Sequence, residues 1–274
     1  MSSQPSPFDR SGSKSEYHPT IVSLHMTSEL SLTSPLSRNS MMDLYGPIYK
    51  LNLGGVERVF VATQELANEV CDEDRFYKVP AAGLQELRAL LGDGLFTAFI
   101  EEKNWWKAHR LLVPAFGPLG LRKMFDGMLD ISSQLVLKWD RQGPDHEIDA
   151  ADDLTRLAFD TIGLCAFSYR FNEFYLEQAH PFAQQMAAVL LESGKRSVRT
   201  SLQNHMYYRS EQERQENVRK MKELCDQIVQ DRRQHPQPDN HDLLNTMLNG
   251  VDKETGESLS DENIRYQMAT FLVA

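Results

Sequence analysis

Residues 102–110 read Glu102-Lys103-Asn104-Trp105-Trp106-Lys107-Ala108-His109-Arg110. The run predicts a helix, in which residues four apart share one face. Trp105 and His109 therefore form one pair of side chains, and Trp106 and Arg110 form a second pair turned by about 100° from the first. On either face an indole N–H and a basic side chain can donate to one buried anion, and Lys78 from an earlier segment could join them. The residues alone also allow a plainer interpretation, a tryptophan in the core with a cation at its rim.

Helical periodicity continues on both sides of this run. Apolar residues recur at intervals of three or four, as on the buried face of a helix. One such helix carries Leu84, Leu87, Leu90 and Leu91 and ends at Gly92. The remaining predicted helices cover residues 120–141, 152–168, 181–192, 210–233 and 242–249, and a last one begins after Ser260.

One earlier part of the sequence has the pattern of β-strands instead. Apolar residues from Ile48 to Leu53, and again from Val56 to Val61, flank Gly54-Gly55, and two glycines suit a tight hairpin turn. Thr63 can cap a short helix directly afterwards. We therefore predict a mainly α fold with a small β-hairpin or sheet near the N-terminus.

Composition restricts the class of protein. The chain has 274 residues, of which 41% are hydrophobic, and a formal net charge of −10. It is too apolar for a disordered chain, and its acidic balance disfavours general nucleic-acid binding. Apolar runs stay well below the roughly 18 residues of a membrane-spanning helix. Because the three cysteines are far apart and no secretion signal precedes them, we expect reduced thiols and a cytoplasmic protein.

The two ends of the sequence differ from the rest. Residues 1–40 contain twelve Ser and four Pro without sustained periodicity, which predicts a disordered tail before a folded region over residues 41–274. At the other end, the last helix runs into Phe271-Leu272-Val273-Ala274 without a capping residue or a basic last turn. Such an apolar end is typical of a buried helix that continues, so we expect a truncated part of a larger domain.

Self-contained catalytic motifs are absent from the sequence. It has no G-x-S-x-G, H-E-x-x-H or P-loop pattern. His146 and His180 stand beside turn or proline signals and are interpreted as surface or capping residues. The basic stretch 194–209 is interpreted as a solvated loop rather than an anion site.

Several runs, taken together, resemble one family. They are Gly92-Asp93-Gly94-Leu95-Phe96-Thr97 followed by the 102–110 run, then Asp160-Thr161-Ile162-Gly163-Leu164-Cys165 with Tyr169-Arg170-Phe171-Asn172, and finally Asp261-Glu262-Asn263-Ile264-Arg265-Tyr266. They make the sequence from about Leu44 to Ala274 similar to the cytochrome P-450 superfamily. Within it, the resemblance is to the self-sufficient fatty-acid hydroxylases of bacteria and fungi, whose haem domain is fused to a flavin reductase. It implies a truncated cytochrome P-450 fold, of which residues 41–274 are the N-terminal half.

The resemblance also implies roles for individual residues. Trp105, His109 and Lys78 match residues that bind haem propionates, and Phe96 matches an aromatic that faces the substrate near the haem. The full set implied for cofactor binding is Lys78, Leu95, Phe96, Trp105, His109, Phe271 and Ala274. The set implied for substrate binding is Leu84, Leu87, Leu90, Leu91, Phe96 and Arg58. Arg58 is included because the Arg and Tyr that hold the substrate carboxylate in relatives correspond to Val56 and Phe60 here.

The resemblance assigns no catalytic residue and no metal ligand within the chain. The family's haem-ligand loop, Phe-x-x-Gly-x-Arg-x-Cys-x-Gly, has no match around Cys71, Cys165 or Cys225, which are interpreted as structural thiols. The implied cofactor is haem, with FAD, FMN and NADPH acting through a flavoprotein reductase outside this chain, and the implied substrate is a long-chain fatty acid. We therefore expect a fragment of a haem-thiolate monooxygenase that is inactive alone. Two alternatives stay open: a non-enzymatic helical binding or interaction protein, and a haem protein with a histidine ligand.

Overall fold

The computed structural model describes residues 20–22, 41–53, 56–72, 74–197, 199 and 206–273. They fall into two compact units, one within Met1–Tyr77 and one within Lys78–Ala274. Most of the predicted disordered tail, residues 1–40, lies outside the described residues, as do Gly54 and Gly55 of the predicted hairpin turn.

The first unit contains a small sheet. Strands β2 (Ile48–Leu53) and β3 (Val56–Val61) pair antiparallel, with Tyr49 opposite Phe60, which confirms the predicted hairpin. Strand β1 (Thr20–Val22) lies inside the segment predicted as a disordered tail and pairs in parallel with β2. A third strand is a physical advantage here, because an isolated two-stranded hairpin is marginally stable in water.

A small apolar cluster stabilises this unit. Met41, in the helical residues 41–45 (α1), is buried together with Tyr49 and Leu51 of β2. The rings of Tyr49 and Phe60 stack across the strands, with centroids 5.3 Å apart.

The helix that follows the hairpin begins where the sequence predicts. Helix α2 (Gln64–Val70) has Thr63 as its capping residue, and the Thr63 hydroxyl accepts a hydrogen bond from Leu66 N at 3.3 Å. The bond satisfies one of the backbone N–H groups that a helix start leaves without an intrahelical partner.

The second unit is built from helices, as predicted. They are α3 (Ala82–Glu86), α4 (Arg88–Leu91), α5 (Lys103–Leu112), α6 (Pro118–Gln142), α7 (Ala150–Phe167), α8 (Pro181–Arg196), α9 (Tyr208–Gln234), α10 (Leu243–Asn249) and α11 (Asp261–Val273). Short 3₁₀ turns at Val113–Phe116 and Glu173–Tyr175 connect some of them. The single helix predicted around Leu84–Leu91 is divided at Leu87, where the backbone switches to i→i+3 hydrogen bonds that tighten the turn.

Helix α11 lies in the middle of the core of this unit. Its residues Ile264, Met268 and Ala269 are completely buried, and it packs against α4, α7, α9 and α10. The predicted cap is present, because Ser260 Oγ accepts from Asn263 N at 3.2 Å. One of these neighbours, α4, ends where the segment 92–97 of the site described below begins.

The interpretation of residues 194–209 as a solvated loop is wrong at its start. Helix α8 continues to Arg196, whose guanidinium bonds Glu86 of α3 and Glu211 of α9, each at 2.7 Å. Three helices meet at this cation, so packing rather than hydration determines its environment.

Among the described residues, no helix is both long enough and apolar enough to cross a membrane.

Candidate haem-propionate site

Helix α5 presents Trp105 and His109 as one stacked pair. Their ring centroids are 4.8 Å apart and their planes differ by 15°. Both residues are partly buried. No hydrogen bond joins the Trp105 Nε1–H or either His109 ring nitrogen to another described residue, whereas neighbouring Asn104, Trp106 and Lys107 all have such bonds. The donors of this face are therefore available to a ligand.

Lys78 joins this face from an earlier segment, as predicted. Its ammonium donates to the carbonyl oxygens of Leu95 at 2.6 Å and Phe96 at 3.2 Å, and lies 5.9 Å from the Trp105 ring centroid. Burial lowers the pKa of Lys78, and the charge of Glu102 opposes part of that effect. Because an ammonium has three N–H donors, one remains after the two carbonyl bonds.

The second pair on α5 is engaged within the protein. Trp106 Nε1 donates to the Ile100 carbonyl at 2.9 Å. Arg110 makes two bonds to Asp252, at 2.8 and 2.6 Å, and a further ion pair with Glu254 at 2.9 Å. The hypothesis that Trp106 and Arg110 bind an anionic ligand is therefore wrong for this conformation, since protein acceptors already occupy their donors.

A polar network that the sequence analysis missed holds the segment 92–97. Asp93 accepts from Asn104 of α5 at 2.6 Å and from Asn263 of α11 at 2.8 Å. Gln267, one turn after Asn263, accepts from the Leu95 backbone N–H at 3.0 Å. The only sequence signal was the i,i+4 pair of amides next to apolar residues of the same helix, which periodicity alone does not connect with a segment about 170 residues earlier.

A second set of bonds fixes the residues just before α5. Arg88 donates to the Thr97 carbonyl at 2.7 Å and forms a two-bond ion pair with Glu102. Glu102 also accepts from Phe99 N at 2.7 Å. The bond from Arg88 lowers the pKa of Glu102, while burial acts in the opposite direction. The carboxylate is therefore the preferred form, and it anchors the approach to α5.

The residues predicted to bind substrate differ in burial: the leucines belong to the apolar core or pack against it, whereas Phe96 and Arg58 are exposed. Leu87, Leu90 and Leu91 are buried members of the main apolar core, and Leu84 packs against it. Phe96 is 39% exposed, so its ring can contact a ligand. Arg58 belongs to the first unit and is exposed on β3. Their roles toward a substrate stay predictions.

The last two cofactor candidates lie at the end of α11. Phe271 packs against Phe116 with ring centroids 5.7 Å apart. Ala274 lies outside the described residues.

The three cysteines differ in burial. Burial raises the pKa of Cys225 to about 12 and raises that of Cys165, whose thiol donates to the Met124 carbonyl at 3.5 Å. Cys71 is exposed after α2. Within the described part of the chain, no cluster of three or more His, Cys, Asp or Glu side chains has the arrangement of a metal site.

His180 has the capping role predicted for it. Its Nδ1 accepts from Phe182 N at 3.2 Å at the start of α8, and burial lowers its pKa. His146 is exposed.

Comparison with known proteins agrees with this architecture. The family profile described as "Cytochrome P450" matches residues 17–274. A bifunctional cytochrome P450/NADPH–P450 reductase of Fusarium oxysporum is 49% identical over 244 residues, which are 88% of this chain and 23% of that protein. A self-sufficient cytochrome P450 monooxygenase of Phanerodontia chrysosporium is 46% identical over 257 residues, 93% of this chain and 24% of that protein.

The chain is also similar to part of a bacterial protein of this kind. Bifunctional cytochrome P450/NADPH–P450 reductase 2 of Bacillus subtilis is 47% identical over 232 residues, 85% of this chain and 22% of that protein. The chain thus spans about a quarter of the length of the curated relatives that it matches. With a profile match over most of its length and relatives well above the identity at which homology is secure, this chain belongs to the cytochrome P450 family.

Proposed function

We propose that this chain supplies the propionate anchors and part of the substrate channel of a haem-thiolate monooxygenase that hydroxylates long-chain fatty acids. The observation that carries the proposal is the convergence of Lys78, Trp105 and His109 at one face of α5. The ring nitrogens of Trp105 and His109 have no partner among the described residues, and Lys78 keeps one N–H after its bonds to two carbonyls. Two carboxylates of a partly buried cofactor need such donors, because burying a charge without a partner is costly.

The chemistry of these three residues fits haem propionates. An indole N–H is a donor only, a protonated imidazole donates from both nitrogens, and an ammonium donates in any direction. Hydrogen bonds from such groups to a carboxylate are short and charge-assisted, and roughly twice as strong as bonds between neutral groups. When bound with an axial thiolate, haem supplies the activation of molecular oxygen. The role of Lys78, Trp105 and His109 is to hold and orient the cofactor by its edge.

Neither Cys165 nor Cys225 fits the thiolate ligand, and no haem-ligand motif surrounds the exposed Cys71. A metal ligand must be deprotonated, and burial stabilises the thiol forms of Cys165 and Cys225. We therefore propose that residues 1–274 by themselves bind haem weakly and do not turn over. In the whole protein, we propose that a reductase with FAD and FMN would supply electrons from NADPH. The names of the relatives state an NADPH–P450 reductase for those proteins.

A fatty acid is the substrate class that the resemblance supports. Affinity for a long alkyl chain comes from burial of CH₂ groups, about 0.8 kcal/mol each. Phe96, whose backbone carbonyl accepts from the Lys78 ammonium, has an exposed aromatic ring that can contact such a chain. Arg58 is proposed as the partner of the substrate carboxylate.

The test is a haemin titration of the purified chain, followed by the spectrum of its reduced CO complex. We expect saturable binding that weakens when Lys78→Gln removes the ammonium. It should not weaken for Lys123→Gln, which removes an exposed cation of α6 that has no ion pair to a described residue. Equal affinity for the Lys78→Gln variant would contradict the anchor assignment. A thiolate-type CO spectrum from this chain would contradict the proposed inactivity.

A further inference from the structure

Helix α11 buries two amide side chains where an apolar core helix would carry aliphatic ones. Asn263 is 1% exposed and Gln267 is 0% exposed, while their neighbours Ile264 and Met268 belong to the apolar core. Burial of an amide is unfavourable unless its polar atoms find partners. The hydrogen-bond partners of Gln267 therefore indicate its role in the structure.

Gln267 uses its two polar atoms in different directions. Its Nε2 donates to Asn263 Oδ1 at 3.1 Å along the same helix, and this bond fixes which end of the amide points outward. Its Oε1 accepts from the backbone N–H of Leu95 at 3.0 Å, in a segment without regular secondary structure. Asn263 in turn donates to Asp93 at 2.8 Å, so the pair holds the segment at two points two residues apart.

The same backbone segment holds Lys78 from its other side. Leu95, whose N–H is bound by Gln267, offers its carbonyl to the Lys78 ammonium at 2.6 Å, and the next carbonyl, that of Phe96, accepts at 3.2 Å. The N–H and the carbonyl of Leu95 belong to two consecutive planar peptide units that meet at the Leu95 Cα atom. The Gln267 bond therefore restrains one of these units, and the adjoining unit offers its carbonyl to Lys78. The position of the Lys78 ammonium near the Trp105 ring thus depends on the orientation of the Leu95 backbone.

Close packing reinforces this dependence. Gly94 has no room for a side chain, since a Cβ atom there would lie 2.5 Å from Thr270 Oγ1 on α11. The segment can therefore approach α11 closely enough for the Gln267 bond to form. Gln267 is the buried side chain of α11 that bonds the backbone of this segment.

We infer that Gln267 is a positioning residue: through the Leu95 backbone it holds the Lys78 ammonium beside Trp105, and thereby aligns the anchors for an anionic cofactor edge. The consequence for haem rests on the proposed function. The positioning of Lys78 itself does not, and the two can be tested separately.

The experiment replaces Gln267 in the full chain and measures two local properties by NMR. Gln267→Met keeps the length of the side chain and removes both polar atoms. We expect the Leu95 amide to exchange with solvent about tenfold faster or more, the factor that corresponds to losing one hydrogen bond of about 1.4 kcal/mol. We expect the pKa of Lys78, followed through labelled lysine Cε signals, to rise toward its ordinary value as the ammonium becomes more fully hydrated.

Conservative and control variants make the result specific. Gln267→Glu, studied at mildly acidic pH where burial favours the neutral acid, retains an acceptor for Leu95 and should restore both signals. Leu244→Ala creates a cavity at another completely buried site of the same core and should lower global stability without moving either signal. If Gln267→Met does not fold, Asn263→Leu carries the test, because it removes the partner that orients the Gln267 amide.

The outcomes separate this inference from the proposed function. Unchanged Leu95 exchange and unchanged Lys78 pKa in Gln267→Met would overturn the positioning role, even if haemin binds. Changed signals in a chain that does not bind haemin would uphold the positioning role and reject the haem assignment. If the positioning role and the haem assignment are both correct, Gln267→Met should weaken haemin binding in the wild-type background. It should have little further effect in the Lys78→Gln background.

Discussion

Trp105 and His109 stack one helical turn apart, with ring centroids 4.8 Å apart and planes 15° from parallel. The contact restricts the rotation of both rings, so that their N–H donors are oriented before a ligand arrives. Such preorganisation reduces the entropy that a binding site loses on ligand binding. Trp106 is adjacent in sequence but lies on another face of α5 and does not take part in this stack. We therefore expect the two tryptophans to differ in their effect on ligand binding.

Replacement of Trp105 should affect cofactor binding, and replacement of Trp106 should not. Trp105→Phe keeps an aromatic ring, smaller than the indole, and removes the indole N–H, which we propose donates to a propionate. A hydrogen bond to a charged acceptor contributes about 1.5–3 kcal/mol, so haemin should bind about tenfold more weakly or worse. The measurement is an absorbance titration at fixed pH.

The matched control is Trp106→Phe. Trp106 is 42% exposed and its N–H is bound to the Ile100 carbonyl, so haemin affinity should stay within a factor of about two, well under the tenfold that 1.4 kcal/mol would give. Equal losses in the two variants would indicate that the helix as a whole, rather than its Trp105 face, determines affinity.

The ion pair between Arg110 and Asp252 should make folding stability depend on pH in the acid range. Hydrogen bonding from Arg110 holds the pKa of Asp252 well below its usual range, burial opposes the shift, and a bond from Thr255 adds to it. Since the folded-state pKa is depressed, this stabilisation is complete above the unfolded value of about 3.9 and is lost as the pH falls through the folded value.

Urea denaturation of the wild type and Asp252→Asn measures this effect. The variant should be less stable at neutral pH by an amount that stays constant down to about pH 5. The difference should shrink at lower pH, because the Asp252 carboxylate takes up a proton in the unfolded wild type before it does so in the folded protein. Asp140→Asn, an exposed position of α6 with no ion pair to a described residue, should give no such trend. A difference that persists unchanged through the acid range would show that the carboxylate charge is not its source.

The sequence predicted the helices well because their signals are local. The four-residue spacing of Trp105 and His109 places them on one face whatever the rest of the chain does. The Thr63 cap is likewise a short-range feature, which the structure confirms. From the residues alone Lys78 was only a possible further donor, and the resemblance to a family supplied its role. Nothing in its own neighbourhood indicates that its ammonium lies near the Trp105 ring.

The interactions that the sequence did not predict share one physical cause: the bonded residues are distant from each other in sequence. Gln267 bonds a residue about 170 positions earlier, and no periodicity connects the two. Arg196 looked like part of a solvated basic stretch, yet its partners Glu86 and Glu211 lie on other helices. Tertiary packing determines whether such a charge is hydrated or paired, and a local pattern does not contain that information.

Truncation of Leu91 should reveal whether it is a core residue or a channel residue. Leu91 is completely buried within the apolar core, so Leu91→Ala should lower the free energy of unfolding by about 2–5 kcal/mol. Leu129→Ala, at a position of α6 that is 54% exposed, should change it by no more than about 0.5 kcal/mol. Denaturant titration of both variants measures the difference. Near-equal stabilities would indicate that the Leu91 side chain faces open space, as the channel assignment requires.

The turn at Gly92 provides the most stringent test of how the 92–97 segment meets α11. Gly92 has φ of +49°, and a Cβ atom built there would lie 2.3 Å from the Tyr266 ring. Gly92→Ala therefore combines backbone strain of about 1–3 kcal/mol with a steric clash. Gly83→Ala, where nothing lies within 4 Å of an added Cβ, should be neutral or slightly stabilising, since alanine favours helix α3.

A double-mutant cycle with Tyr266→Ala separates the two contributions. Removing the ring eliminates the clash and leaves the strain, so Gly92→Ala should lower the free energy of unfolding by less in the Tyr266→Ala background than in the wild type. Unfolding free energies of the four proteins, from urea denaturation, give the coupling directly. Strict additivity would mean that Tyr266 moves away from the new methyl group without loss, and that the close contact between this turn and α11 is not needed for the fold.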